Sequence, residues 1–261
     1  MGFTHCAACE EAGITQIITG PFTLAPEGNP LIGPVKGMTN YWAACAVMAG
    51  FSQGGGVGLS LANWIVNGDP GLYVWAMDVS RFGDYATMQF TNARVRENYA
   101  RRFSIRYPNE ELQAARPLLT TPIYDKQKAA GAQFGAAYGL EIPLWYAPKN
   151  TSDVFSWRRS TDFDHVGAEA RAVRESVGLS DISGFAKYRV SGPGAADWLD
   201  HILACRLPAV GRMVLAPMLK DDGKIIGDFS LSRLDDDSFL IIGSGIAESY
   251  HMRWFLAHLL D

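Results

Sequence analysis

Two short segments of this chain contain residue types that could bind a ligand or move a proton. The first is a glycine-rich run, Gly50-Phe51-Ser52-Gln53-Gly54-Gly55-Gly56-Val57-Gly58. Glycine allows a backbone to approach a ligand closely, and the N–H groups at the start of a helix favour negative charge. The second is Ile225-Ile226-Gly227-Asp228, in which a carboxylate follows apolar residues. A carboxylate can hold a polar ligand or accept its proton.

The glycine-rich run has two interpretations. Residues 41–49 are expected to form a buried strand and turn, after which the run opens a helix that suits the negative N1–C2=O2 edge of a reduced flavin. Alternatively, the run is a flexible loop that packs two elements. It is not a dinucleotide fingerprint, because Leu59 occupies the last glycine position of G-x-G-x-x-G. Residues 1–28 contain no such turn either, so the chain is expected to begin inside a domain.

The carboxylate of Asp228 also has two interpretations. If residues 225–234 form a strand, Asp228 points away from Phe229 and Leu231, so it could line a pocket while they fill a core. Alternatively, it is an ordinary acid at a strand edge or turn. The histidines carry no catalytic spacing to a nucleophile or carboxylate, and we interpret them as surface or core residues: His165, His201, His251 and His258.

Composition limits the class of protein. The chain has 261 residues, of which 48% are hydrophobic and 19% charged, with a net charge of −4. This is typical of a globular protein, and the lack of a Lys/Arg run argues against a nucleic-acid partner. Apolar stretches are too short for a membrane span, and residues 1–20 lack the pattern of a signal peptide.

The four cysteines are unevenly spaced, which favours a reducing compartment over a disulfide framework. Cys6-Ala7-Ala8-Cys9 has the spacing of a zinc or redox pair. A structural zinc site needs four ligands and no second pair follows, so we expect no metal site. The expected location is the cytoplasm, or the mitochondrial matrix if the source is eukaryotic.

Three blocks are predicted, at residues 1–72, 73–150 and 151–261, with an α+β fold. Apolar spacing and turn residues predict helices over 57–66, 84–102, 125–137, 166–177 and from residue 195. Strands are predicted over 185–190, 225–234 and 239–243, with a hairpin turn at 235–238. Residues 103–124 and 141–150 are expected to be irregular connections. The chain ends within a helical pattern, so its C-terminus is also expected to lie inside a domain.

In chain order, three segments resemble the dimethylglycine and sarcosine dehydrogenase family. Pro26-Glu27-Gly28-Asn29-Pro30-Leu31-Ile32-Gly33-Pro34 and the glycine-rich run are similar to the closing part of its FAD domain. Residues 101–110 and 115–125 resemble its central segment. Residues 151–261 resemble the start of its folate-binding aminomethyltransferase domain, of the glycine-cleavage T-protein type.

This resemblance implies a flavin domain that oxidises an N-methyl amine to an iminium and a folate domain that captures the one-carbon unit. It implies that Asp228 positions or deprotonates the folate amine. FAD contacts are implied for Gly33, Gly50, Phe51, Ser52, Gln53, Gly54, Gly55 and Gly56, and folate contacts for Asp228 and Ser244. The family's FAD-linking histidine, its AMP-binding glycines and the second half of its folate domain have no counterpart here.

The sequence departs from the family pattern at three places near these residues. Gly227 replaces the first of two adjacent acids, Leu215-Ala216 replaces Tyr-Thr, and Ser244-Gly245 replaces Asn-Ala. We therefore expect part of a flavin-dependent N-methylglycine oxidoreductase that uses FAD, tetrahydrofolate and a small N-methyl amine. Two alternatives remain open. One is a non-catalytic folate-binding or subunit-interaction module, whose partner chain supplies the FAD-binding half. The other is a flavin-free, folate-dependent demethylase.

Overall fold

The computed structural model describes residues 12–259, which form helices and antiparallel sheets. The strands are β1 (Leu31–Pro34), β2 (Trp42–Cys45), β3 (Ala132–Ala137), β4 (Leu140–Tyr146), β5 (Ala186–Ser191), β6 (Met213–Leu219), β7 (Ile225–Asp235) and β8 (Ser238–Gly243). The helices are α1 (Gly50–Asn67), α2 (Met88–Ala100), α3 (Tyr124–Ala129), α4 (Asp162–Glu175), α5 (Ala195–Ile202) and α6 (Glu248–Ala257). The predicted α+β fold is confirmed. In the described part of the chain, no helix combines the length and apolar character needed to cross a bilayer.

The main core lies between a four-stranded sheet and two helices. The strand order is β5-β8-β7-β6, and β7 and β8 form the predicted hairpin. One face of the sheet buries Phe229, Leu231, Phe239 and Ile241, each at most 1% exposed, against α5 and α6. Alternation along β7 therefore leaves its other face free to line a site.

The prediction of one helix over residues 125–137 is wrong beyond α3. The helix ends at Ala129, and Gly131 adopts a φ of +96°, which favours glycine. A Cβ at Gly131 would overlap the carbonyl oxygen of Ala147, so the chain turns tightly here. The following residues form β3, which pairs with β4 where an irregular connection was expected.

The N-terminal region differs from prediction in where helix α1 begins. The helix starts at Gly50, so the glycine-rich run occupies its first two turns and is not a loop. It ends at Asn67, one residue beyond the predicted end, and Gly68 closes it with a φ of +75° by donating its N–H to the carbonyl of Trp64. Strand β2 is half-buried to exposed, so the expected buried strand is also wrong.

Helices α2 and α4 confirm two further predictions with shifted ends. The Thr87 hydroxyl caps α2 by accepting the N–H of Phe90 at 3.2 Å. Helix α4 begins four residues before the predicted start, with Asp162 and Asp164 in its first turn, and ends before Ser176. Residues 103–123 contain neither helix nor strand, as expected.

Contacts across the chain join the N-terminal region to the four-stranded sheet and its helices. Asp78 accepts a hydrogen bond from Arg253 of α6 at 2.6 Å. The rings of Trp75 and Tyr250 lie 5.6 Å apart, and Lys220 forms an ion pair with Asp69. Helix α6 therefore contacts both the sheet core and the N-terminal region.

Candidate functional site

A cavity of about 450 Å³ lies on the side of the sheet opposite the core. Strands β6, β7 and β8 contribute to its wall, together with hairpin β3–β4 and the segment before β5. Asp228 and Ser244, the two residues implied for folate, both line it. Its other lining residues include Ile142, Asp181, Gly184, Phe185, Leu215, Ser230 and Ile242.

The direction of Asp228 follows from its place in strand β7. It lies opposite Pro217 of β6, and it is exposed while its neighbours Gly227 and Phe229 are buried. The predicted alternation is therefore present, with the core on one side of β7 and the cavity on the other. A carboxylate in this position can accept hydrogen bonds from a ligand in the cavity while the backbone of β7 stays paired in the sheet.

Asp181 is a second carboxylate of this cavity, and the sequence reasoning missed it. Its oxygens accept the backbone N–H of Ser183 and the side-chain amide of Gln127, each at 2.8 Å. Hydrogen bonding from the Ser183 side chain lowers the pKa of Asp181, with burial opposing and these two donors adding to the effect. The Asp-x-Ser spacing at 181–183 was the available signal, since it is typical of a turn closed by an aspartate side chain.

Two departures from the family pattern have steric causes. A Cβ at Gly227 would lie 2.7 Å from Nε2 of His251 and 2.8 Å from the ring of Phe229. A Cβ at Gly245 would overlap the carbonyl oxygen of Gly184. Side chains at 227 and 245 are therefore excluded by what packs against them. The third departure places Leu215, which is 70% exposed, in the wall of the cavity.

The residues implied for flavin lie elsewhere, on β1 and at the start of α1. Gly50, Gly54, Gly55 and Gly56 have open space where a Cβ would stand, and Phe51 is fully exposed. The residue before α1 is Ala49, whose side chain cannot cap the first N–H groups. The start of α1 thus presents bare backbone, which suits the negative edge of a flavin ring.

Gly33 lies where strand β1 contacts helix α1. Its φ is +110°, and a Cβ would lie 2.7 Å from the ring of Trp64 on α1. The strand therefore packs tightly on the helix through glycine. None of the flavin-implied residues lines the cavity that contains Asp228, so the structure does not bring the two groups into one site.

Metal binding has no support in residues 12–259, which contain no cluster of three or more His, Cys, Asp or Glu side chains with the arrangement of a metal site. Cys45 is exposed, Cys205 is half-buried, and both are free thiols. The Cys6–Cys9 pair lies outside the described residues.

Comparisons with known proteins identify the two parts of the chain. The family described as GCVT N-terminal domain matches residues 123–261, more than half of the chain. The family described as FAD dependent oxidoreductase central domain matches residues 67–121.

Similar proteins include dimethylglycine dehydrogenase of Mus musculus, 33% identical over 94% of this chain and 28% of that protein. The 4-methylaminobutanoate oxidase (formaldehyde-forming) of Paenarthrobacter nicotinovorans is 31% identical over 90% of this chain and 29% of that protein. The pyruvate dehydrogenase phosphatase regulatory subunit of Mus musculus is 30% identical over 97% and 30%, respectively. This chain spans less than a third of the length of these relatives. It belongs to the GCVT N-terminal domain family and, with its central-domain match, to the dimethylglycine and sarcosine dehydrogenase family.

Proposed function

We propose that this chain is part of a flavin-dependent oxidoreductase of an N-methylated glycine, dimethylglycine or sarcosine, that passes the one-carbon unit to tetrahydrofolate. The observation that carries the proposal is a cavity in a GCVT domain that is lined by three polar residues, Asp228, Ser244 and Asp181. Relatives named for dimethylglycine and 4-methylaminobutanoate support an N-methyl amine as the substrate class.

The role proposed for Asp228 follows from its chemistry and exposure. An exposed carboxylate beside a bound pterin can accept a hydrogen bond from a ring or bridge N–H and can take the proton as that nitrogen attacks the one-carbon electrophile. Ser244 directly follows β8 and can donate or accept one further hydrogen bond. Leu215 and Ile142 supply apolar surface for a flat ring.

The FAD-dependent part of the proposal rests on the start of α1. When bound in the parent protein, the flavin supplies the two-electron oxidation of the amine. The backbone N–H groups of Gly50 and Phe51 would hold its negative edge, because those of Ser52 and Gln53 already donate to the carbonyl of Ala49. The open glycine positions leave room for the ring. The sequence has no G-x-G-x-x-G turn for the pyrophosphate, so we propose that this chain alone does not retain FAD.

Two further predictions accompany this proposal. The division into blocks 1–72, 73–150 and 151–261 stays a prediction, and limited proteolysis that cuts first at residues 147–152 would support its second boundary. The relatives from mouse and human are named as mitochondrial, which supports the mitochondrial matrix as the location in a eukaryote. The cytoplasm stays the prediction for a bacterium.

The first test measures folate affinity. Tryptophan fluorescence of the wild-type chain is titrated with 5-formyltetrahydrofolate, a stable folate, and compared with Asp228→Asn. Loss of a charged hydrogen bond of about 1.5–3 kcal/mol predicts affinity lower by about 10- to 150-fold. Asp236→Asn, in the exposed β7–β8 turn, is the control and should bind as wild type does. Equal affinity of Asp228→Asn and wild type would contradict the role of Asp228.

The second test concerns the flavin. The purified chain is expected to show no flavin absorbance near 450 nm, while co-expression with a protein that carries G-x-G-x-x-G should recover it. A stoichiometric flavin on the chain alone would contradict this part of the proposal.

One observation favours a second candidate, a non-catalytic interaction module. A relative that matches 97% of this chain is named as a regulatory subunit. The exposed apolar residues of α1, Phe51, Leu59 and Val66, would then contact a protein partner. Formation of methylenetetrahydrofolate by a reconstituted flavin-containing complex would exclude this candidate, and folate binding without turnover would favour it.

A further inference from the structure

Strand β7 contains a β-bulge two residues before Asp228. In the register with β6, Met218 pairs with Gly227 and Leu219 pairs with Ile225. Ile226 therefore has no partner residue across the ladder. A bulge bends its strand and redirects the side chains that follow, and the geometry depends on what supports the extra residue.

His251 of α6 supplies that support. Its Nε2 lies 3.3 Å from the carbonyl oxygen of Ile226, and the side chain is buried, with 2% of the residue exposed. A carbonyl oxygen can only accept, so Nε2 carries the hydrogen. Nδ1 has no hydrogen-bond partner among the described residues. Within residues 12–259, the bond to the Ile226 carbonyl is therefore the only hydrogen bond of the imidazole, and it is directed at the bulge.

The surroundings of His251 keep the ring neutral. It packs edge-on against Phe229, with ring centroids 4.8 Å apart, and lies near Tyr188 and Tyr250 at 6.5 and 5.8 Å. Burial lowers the pKa of His251, while the Ile226 carbonyl and the charge of Asp228 oppose this effect. Of the two neutral tautomers, only the one with Nε2–H can donate to this carbonyl.

Gly227 completes the arrangement. Its missing side chain leaves room for the imidazole, because a Cβ at this position would lie 2.7 Å from Nε2. An acid at 227, as in the family pattern, would displace His251 from the bulge. The absence of a side chain at Gly227 is therefore what allows His251 to reach the bulge. Both residues lie on the core side of β7, whereas Asp228 lies on the opposite side.

We propose that His251 is a positioning residue for Asp228, which it acts on by holding the Ile226 bulge through its Nε2–H. The inference rests on the proposed folate function of Asp228, and it adds a residue that does not itself touch the cavity. In the absence of this hydrogen bond, the bulge loses its support and the Asp228 carboxylate no longer has a fixed direction.

The test compares three variants of the whole chain. His251→Gln retains an amide donor, and His251→Phe retains a flat ring without one. His258→Gln changes the histidine that follows α6, whose Nδ1 hydrogen-bonds the carbonyl of Trp254 and whose ring stacks on the Trp254 ring, away from the bulge. Loss of one hydrogen bond predicts that His251→Phe weakens 5-formyltetrahydrofolate binding about fivefold to tenfold. His251→Gln should recover most of that loss, and His258→Gln should bind as wild type does.

A double mutant separates positioning from a general effect on folding. If His251 acts through Asp228, adding His251→Phe to Asp228→Asn should weaken folate binding no further. Additive losses would overturn the inference. So would wild-type affinity in His251→Phe.

If the wild-type chain binds no folate, the proposed function is refuted, but the contact of His251 with the bulge can still be tested. Two NMR measurements without ligand provide that test. The first is the tautomer of His251 in the wild type, read from its imidazole ¹⁵N shifts, which needs no variant to fold. Nε2–H is expected, and Nδ1–H would overturn the inference. The second is the carbonyl shift of Ile226 and the amide shift of Asp228, which should move in His251→Phe and return towards wild type in His251→Gln. Unmoved shifts in His251→Phe would overturn it too.

Discussion

The ion pair between Asp78 and Arg253 should be the strongest single polar link between the N-terminal region and helix α6. The Asp78 side chain is 1% exposed and the Arg253 side chain 31% exposed, with 2.6 Å between oxygen and nitrogen. The Arg253 guanidinium also lies 4.9 Å from the centre of the Trp64 ring. Arg253→Met removes the charge and keeps much of the apolar stem.

The expected loss can be worked from these contacts. Removing one partner of a buried pair costs about 3–5 kcal/mol, because the other charge is left without compensation. Arg253 is a third exposed, so water can partly replace it and we take about 2–3 kcal/mol. Loss of the cation–π contact adds about 0.5–1 kcal/mol. Arg253→Met should therefore destabilise the chain by about 3 kcal/mol.

The assay is urea unfolding at pH 7, followed by tryptophan fluorescence and by circular dichroism to check for a single transition. A double-mutant cycle with Asp78→Asn isolates the pair, and a coupling energy of about 1.5–2.5 kcal/mol is expected. Lys224→Gln is the matched control. Its partner Asp222 lies at 2.6 Å too, but both side chains are at least half exposed. That control should change stability by less than about 0.5 kcal/mol. A coupling energy between Asp78 and Arg253 below about 0.5 kcal/mol would refute the reasoning.

Three further predictions concern packing and pH. Gly33→Ala should destabilise the chain by about 2 kcal/mol, because Gly33 has a positive φ and its Cβ would lie 2.7 Å from the Trp64 ring. Gly54→Ala should stabilise the chain by up to about 1 kcal/mol, because a Cβ at this position of α1 meets no other atom. Urea unfolding measures both changes. Burial would raise the pKa of Glu97, but two backbone N–H donors bring it below its ordinary 4.5. Its contribution is present above about pH 4.5 and is lost as the pH falls further, so Glu97→Gln should flatten the fall in stability between pH 5 and 3. Burial lowers the pKa of His251 below 6.5, so the unfolded chain binds a proton at this residue at a higher pH than the folded chain does. Stability should therefore decline as the pH falls below about 6.5, and less steeply in His251→Gln; equal slopes would contradict this.

The local sequence pattern was sufficient to predict an element where the apolar residues followed a single helical or strand period. The apolar spacing from Ala195 to Ile202 predicted α5, and its residues Trp198, Leu199 and Ile202 are buried as that spacing requires. The β7–β8 hairpin was likewise predictable, because its strands alternate or are continuously apolar and the turn between them is acidic.

Local pattern was insufficient where two structures were compatible with the same residues. Residues 132–137 include three alanines and could extend α3, yet the chain turns tightly where Gly131 approaches Ala147, and they form β3. The glycine-rich run could have been a loop, but without proline nothing prevents α1 from beginning at Gly50.

For the candidate site, the sequence by itself determined that Asp228 and its apolar neighbours would lie on opposite sides of a strand, because side chains alternate along any strand. It also indicated the family, through residues matched in chain order. The resemblance had grouped Ser244 with Asp228, but only the tertiary structure decided that Asp181 lies in the same cavity and that His251 hydrogen-bonds the bulge at Ile226. These residues come from elements far apart in the chain, and their proximity depends on how the sheet, the hairpin and α6 pack, which no local spacing records.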